Sequence, residues 1–408
     1  MRSLPFTVLR VFLPFAAGYF LSYLYRVVNA VIAPDLIADI GVGPSALGLL
    51  TAVYFISFAS FQLPLGILLD RYGPRRIEAA LLLFAGLGAV LFARAESLTG
   101  LVVGRAFIGF GVSSCLMAAF KAYTLWFPKE KWPMVNGFQM AAGGLGALAA
   151  TSPVESALQF TDWRGIFTLL GVLTLVIAVL VFVVVPEKKA TALGESFHSQ
   201  MRGVRKVFTS QDFWRTAPLT TMSQAAFLSI QGLWAGPWLK DVAGLSRDAV
   251  ADNLFWIAVA MIAGFISLGS LVERLSRAGV SVLTTAVTCM SLFMMVQLLV
   301  IIAPEGFVLP LWMAFGFLGT SGIIAYSALT RSFPVTLSGR VTTAVNLLVF
   351  VTAFAGQWAI GAIISLWPVG EAGELSPAGF SAGFGLMLVL QILCLAYFVY
   401  AGRRMPVK

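Results

Sequence analysis

The chain has 408 residues, of which 59% are hydrophobic and 11% charged. A soluble domain carries about 25% charged residues, so this composition excludes a soluble enzyme, a secreted disulfide scaffold and a disordered chain, and leaves a polytopic membrane protein. The 27 Lys and Arg outnumber the 18 Asp and Glu, giving +9. In a soluble protein that excess would suggest nucleic acid; here no nucleic-acid partner is expected, and the position of each charge decides its meaning.

Apolar runs broken by Gly, Pro or charge predict twelve α-helical spans, near 8–33, 46–69, 77–94, 98–124, 132–153, 165–186, 216–239, 250–272, 280–303, 307–330, 341–366 and 379–402. Their length suits helices, which need about 20 residues to cross a bilayer; a barrel would show weak alternating segments of about 10. The first run is too long for a cleaved signal peptide and contains Arg26 and Asn29, so it reads as a retained helix. An even number of spans puts both termini on one side. Placing them in the cytoplasm leaves 20 of the 27 basic residues there, four outside (Arg94, Arg164, Lys240, Arg247) and three within spans (Arg26, Arg105, Lys121). The positive-inside rule favours that orientation, in a cytoplasmic (inner) membrane. The polar stretch 187–215, which holds the only histidine, His198, reads as a cytoplasmic linker between halves 1–186 and 216–408.

The halves repeat. Pro34 and Pro237 follow similar helix ends 203 residues apart, and Asp70-Arg71 and Glu273-Arg274 are separated by the same 203. Phe127-Pro128 recurs as Phe333-Pro334, 206 residues on. Two similar six-helix bundles related by an axis along the membrane normal are a transporter architecture, with a central cavity expected between them.

The segment Gly66-Ile-Leu-Leu-Asp70-Arg71-Tyr-Gly73-Pro-Arg75-Arg76 resembles the signature loop of the major facilitator superfamily, in which a Gly, an Asp-Arg pair, a Gly and a basic pair are fixed. The resemblance extends over nearly the whole chain, nearest to bacterial organic-anion and nutrient transporters. It implies an all-α fold of two six-helix bundles and a latch, built on Gly66, Asp70, Arg71, Gly73, Arg75 and Arg76, that holds one state of a transport cycle. Asp70 lies at a helix end, where a carboxylate can cap a neighbouring helix N-terminus; the alternative is a basic turn that only fixes topology. Arg105 with Gly109 and Gly111 is similar to a second family motif. Gly137 through Gly146 is similar to the glycine-rich segment of antiporters but lacks its interior proline, so only close packing by Gly143, Gly144 and Gly146 is carried over. Asp162-Trp163-Arg164 resembles the family's usual start of span six.

Charges inside a membrane point to function. Tyr19, Tyr23, Arg26 and Asn29 form one stripe on span one. Arg suits carboxylate or phosphate, so Arg26 is the first choice of substrate anchor, against snorkelling towards an interface. Arg105 and Lys121, sixteen residues apart on span four, point roughly 160° apart on a straight helix; each is a substrate candidate set against a structural role. All 18 acids fall at helix ends or in loops on this map, so a positive cavity and a negative ligand are expected. Some anion:cation symporters of the superfamily carry a span-one Arg with acids nearby. Here Tyr25 precedes Arg26 and Val112 follows Gly111. That departure disfavours a protein carboxylate as proton carrier and leaves facilitated diffusion, exchange or a proton carried on the substrate.

In the second half, Thr221, Gln224, Leu228 and Gln231 share a face of span seven, followed by Trp234 and Trp238; Gln231 through Trp238 resembles a segment of nutrient importers. Gln224, Gln231, Trp234 and Asn346 join the binding candidates, with Gln357 beside them, set against interhelical hydrogen bonding. Three cysteines and one histidine support neither disulfides nor a metal site, and no Walker loop appears. No catalytic residue, metal or cofactor is expected. The reading is a secondary transporter of a small organic anion or zwitterion (a carboxylate, amino acid or short peptide), acting as a monomer in the lipid bilayer by alternating access. The alternatives are a proton-coupled exporter of amphipathic drugs and, in another class, a non-transporting receptor or scaffold.

Overall fold

A computed structural model describes residues 4–41, 44–188, 197–302, 306–368 and 375–404. The stretch 189–196 of the expected linker and both extreme termini lie outside them. The described residues contain helices and turns and no strand. Nine of the helices are long and apolar enough to cross a membrane, ten counting a pair bent by 44° at Phe61 (Leu49–Ser60 with Gln62–Tyr72, span two). The other two predicted spans are helices as well. Span five is Trp132–Ala149, rich in glycine. Span seven begins as Gln211–Ser229, whose Thr, Ser and Gln residues lower its apolarity. This is a multi-pass, all-α membrane protein. Its span-six helix Trp163–Val184 leaves Val172, Val176, Val179 and Val183 between 51% and 69% exposed along one face, a stripe that only lipid can cover.

The chain forms two compact units. One is Met1–Val204 with Pro334–Ala344; the other is Arg205–Phe333 with Val345–Lys408. In the first unit, span one (Leu13–Val31) packs on span five, and span three (Pro74–Ala93) packs on spans four and six. Span four is broken at Ser113-Ser114 into Leu98–Val112 and Cys115–Trp126. Ser97 caps its start by accepting from Gly100 N at 3.3 Å, and Asp162 caps span six by accepting from Gly165 N at 2.7 Å. Gly73, at φ +83°, reverses the chain after span two, and Pro74 sets the first turn of span three.

In the second unit, span eight (Arg247–Arg277) packs on span ten, which is broken at Thr320-Ser321 into Val308–Gly319 and Gly322–Arg331. Leu219, Leu268, Val272, Met290, Ile324 and Leu388 belong to its buried core. Gln391 Nε2 donates to Gln297 Oε1 at 2.7 Å and Gln297 Nε2 to Phe384 O at 3.1 Å, tying span nine (Val282–Ile302) to span twelve (Pro377–Arg404). Span seven carries Pro218 and then a π-helical turn, Ile230–Trp234, the type of break that clusters at functional positions.

The sequence repeat has structural counterparts. Spans four and ten break at equivalent hydroxyl pairs. Phe127-Pro128 leads into the short 3-10 helix Lys129–Lys131 and Phe333-Pro334 into Val335–Leu337, each followed at once by the next span.

Candidate functional site

The tyrosine–arginine stripe of span one lies within the first unit. Arg26 is half-buried, and its guanidinium stands 4.5 Å from the Tyr23 ring centroid and 5.6 Å from those of Phe55 and Phe58 on span two. These aromatic faces attract a cation and dehydrate one side of it. Tyr19 and Tyr23 meet edge to face at 5.1 Å, and the Tyr19 hydroxyl points at Met140 Sδ, 3.3 Å away. Span five comes this close because Gly143 has no side chain: a Cβ there would lie 2.5 Å from Tyr19 Cε1 and 2.8 Å from Tyr23 Cδ2. Asn29 is buried, and its Oδ1 has no hydrogen-bond partner among the described residues. Tyr54, whose hydroxyl donates to Ser22 O at 3.1 Å, completes the wall. The aromatic residues of span two carried no signal in sequence, where they look like any lipid-facing Phe or Tyr.

Arg105 and Lys121 are engaged differently. Arg105 is 1% exposed; it donates to Tyr25 O at 2.8 Å and lies 4.9 Å from the Tyr54 ring centroid, pinning spans four, one and two together. Gly109 and Gly111, the glycines of its motif, bring span four against Tyr54 and Ala85.

Lys121 is 2% exposed, and its ammonium donates to Asp70 Oδ1 at 2.6 Å, Val335 O at 2.7 Å and Ser338 Oγ at 2.9 Å. Its three donors are thereby used. Asp70 also accepts from Gly339 N at 3.1 Å and Arg340 N at 3.3 Å, the first amides of the span-eleven helix Ser338–Ile364, and pairs with Arg340 Nε at 3.5 Å. Gly66 admits this segment: a Cβ there would stand 3.0 Å from Arg340 Cα. The rest of the signature loop is anchored locally. Arg75 donates to Phe182 O at 2.6 Å and pairs with Glu187, as does Arg76, and Arg71 lies over Tyr72. Lys121 therefore stands in the Asp70 cluster, where the sequence had offered it as a substrate contact.

The expectation that acids at helix ends leave the interior free of carboxylates needs correction at three positions, one of them Glu273, 6% exposed and paired with Arg277. Asp70 is 1% exposed and Glu78, the fifth residue of the span-three helix, 0%. A helix end is buried whenever neighbouring elements cover it, and sequence position alone does not reveal the cover. Outside the spans, Asp39 accepts from the Arg164 guanidinium and, at 3.1 Å, from Trp163 Nε1. These bonds hold its carboxyl below the usual range.

In the second unit Gln224 is buried against Gly322, and neither its Nε2 nor Thr221 Oγ1 has a partner among the described residues. Gln231 and Trp234 are half-buried on the π-helical turn; Trp234 Nε1 donates to Gln357 O at 3.2 Å. Asn346 is 3% exposed on span eleven.

A family profile described as Major Facilitator Superfamily matches residues 15–357. Curated relatives include a probable sulfoacetate transporter of Cupriavidus necator, 30% identical over 38% of this chain and 36% of that protein. A probable L-galactonate transporter of Escherichia coli is 29% identical over 39% and 35%, and the hexuronate transporter of the same organism is 28% identical over 39% and 37%. The chain thus spans about a third of the length of the relatives it matches. Solved structures agree in fold along nearly their whole length. The proton:xylose symporter XylE matches at TM-score 0.72 and 16% identity, covering 96% of this chain and 95% of that one. The fucose transporter FucP in its outward conformation matches at 0.72 and 15%, covering 97% and 99%.

Proposed function

The chain belongs to the Major Facilitator Superfamily, and from that premise we propose that it carries a small organic anion across the cytoplasmic membrane by alternating access, with both termini in the cytoplasm. The observation that carries this reading is Arg26, a half-buried cation among aromatic rings on a polar stripe. Its planar fork matches a carboxylate or sulfonate, and Tyr19, Tyr23 and Asn29 on the same stripe offer groups for the rest of the ligand. Gln224, Gln231, Trp234 and Asn346 are the contacts proposed in the second unit, through amide hydrogen bonds and an indole face. Arg105 serves packing, and Lys121 serves with Gly66, Asp70, Arg71, Gly73, Arg75 and Arg76 in the latch. Relatives named for sulfoacetate, L-galactonate and hexuronate support an acidic substrate.

Uptake of these three anions into proteoliposomes tests the reading. Losing a charge-assisted hydrogen bond costs about 1.5–3 kcal/mol, so Arg26→Ala should weaken anion affinity by about tenfold to a hundredfold. Arg26→Lys, which keeps the charge and loses the fork, should fall in between. Uptake indifferent to both changes would sink the anchor.

A further inference from the structure

Glu78 is the fifth residue of the span-three helix and is completely buried. Neither of its carboxyl oxygens has a hydrogen-bond partner among the described residues. The carboxyl presses on span one at Gly18, where a Cβ would collide with Oε1 and stand 3.6 Å from Cδ. Of the cations on the elements packed around it, Lys121 pairs with Asp70, Arg105 donates to Tyr25 O, Arg75 to Phe182 O, Arg75 and Arg76 pair with Glu187, and Arg164 pairs with Asp39, while Arg26 stands two four-residue steps along span one from Gly18. Arg71 lies over Tyr72. An ionised carboxylate so enclosed, with no donor and no counter-ion, would bear the full cost of a buried charge, whereas the carboxylic acid bears only that of a polar group. Glu78 therefore holds a proton in this arrangement.

The acid and the anchor meet the same ridge of span one. On span one, Ser22 and Arg26 follow Gly18 at four-residue steps along one ridge, and eight residues of helix rise about 12 Å. Ser22 Oγ and, on span four, Ser114 Oγ are buried hydroxyls without partners among the described residues. On span four the Tyr123 hydroxyl donates to Gln139 Oε1 at 2.7 Å, while Gln139 Nε2 donates to Phe15 O at 3.0 Å, so both groups are already engaged. The acid, at Gly18, and Arg26 thus lie along one ridge of span one with the buried Ser22 hydroxyl at the step between them.

We propose that Glu78 is the proton-binding site of this transporter. Its carboxyl takes a proton from water in one state of the cycle, forming the O–H bond, and returns that proton to water on the other side, regenerating the carboxylate. No co-reactant is required. The link from this proton to the anion rests on the anion-transport reading; the existence of the proton site does not.

Two measurements on the purified full-length protein test it. In infrared spectra taken at neutral pH, wild type should show the C=O stretch of a buried carboxylic acid; Glu78→Gln should lack it and Glu78→Asp should shift it. Because the Asp variant assigns the band independently, a Gln variant that folds poorly does not block the test. Wild type without such a band overturns the proposal. In proteoliposomes holding a trapped pH dye, sulfoacetate, L-galactonate and a hexuronate are tested singly. Uptake should change internal pH with wild type and with Glu130→Gln, an exposed loop control. With Glu78→Gln the pH change should fall to the level of empty liposomes while counterflow exchange of the anion still runs. An unchanged proton-to-anion ratio in Glu78→Gln also overturns the proposal. If wild type moves none of the anions, the anion reading fails, and the infrared band still decides for or against Glu78.

Discussion

The Asp70 cluster makes a quantitative prediction, because its charges do not balance. One acid, fully buried, faces two cations, Lys121 and Arg340, whose side chains are 3% and 4% exposed. Replacing Lys121 by Met leaves a balanced Asp70–Arg340 pair, with Asp70 still accepting from Gly339 N and Arg340 N. The loss is then mainly one set of charge-assisted hydrogen bonds, about 1.5–3 kcal/mol. Replacing Asp70 by Asn leaves two buried cations without their acid, which places the cost in the range for breaking a buried pair, about 3–5 kcal/mol. The double variant Asp70→Asn/Lys121→Met removes one of those stranded cations. It should be less destabilised than the sum of the singles, with a coupling of about 0.5–3 kcal/mol. Equilibrium unfolding in mixed detergent micelles reads all four corners of the cycle. The reasoning is refuted if Lys121→Met is the more damaging single change, or if the double variant equals the sum within about 0.5 kcal/mol.

Three further outcomes follow from local geometry. Gly143→Ala should push the Tyr19 and Tyr23 rings off their positions, costing about 1–3 kcal/mol as overpacking does, and should raise the KM for anion uptake. Gly385→Ala, with nothing within 4 Å of the added Cβ, should leave uptake unchanged. Asp39, whose carboxyl is held below the usual range by Arg164 and Trp163, stabilises the fold fully above its unfolded pKa of about 3.9. That contribution is lost as pH falls through the lower folded value. Melting temperatures of wild type and Asp39→Asn should therefore differ by a constant amount near neutrality and converge in strong acid; a gap that persists there would count against the ion pair.

Much of the architecture is legible in the sequence because it follows from local chemistry. Long apolar runs become spans, Gly73-Pro74 becomes a reversal, and the repeated Phe-Pro becomes a repeated 3-10 turn. The aromatic surround of Arg26 is not legible, since Phe55 and Phe58 join it only through the packing of span two against span one. The same holds for Lys121. Its partners are distant in the chain, 51 residues away at Asp70 and 217 at Ser338, and the 3.6-residue period of one helix cannot point to them. Glu78 looks in sequence like a solvated acid in a favourable position near a helix N-terminus. Only the close approach of Gly18 shows that the turn is sealed.

Of the three membrane-embedded cations, Lys121 is paired with Asp70 and Arg105 has its guanidinium engaged by the Tyr25 carbonyl, so neither offers its donors to a ligand as Arg26 does. On the proposed reading Arg26 is the cation that meets the anion, and the proton proposed on Glu78 sets how strongly it does so. Two charges about 12 Å apart, the rise of eight helical residues, interact by about 1.4 kcal/mol at an effective dielectric of about 20. That is roughly a tenfold change in affinity. Deprotonating Glu78 should weaken anion binding by about this factor, because the new carboxylate repels the ligand through the same distance. Anion affinity measured across pH should therefore fall as pH rises in wild type and stay level in Glu78→Gln, at the tighter value. A level profile in wild type, or a parallel fall in Glu78→Gln, would separate the acid from the anchor and leave Arg26 to bind its anion unaided.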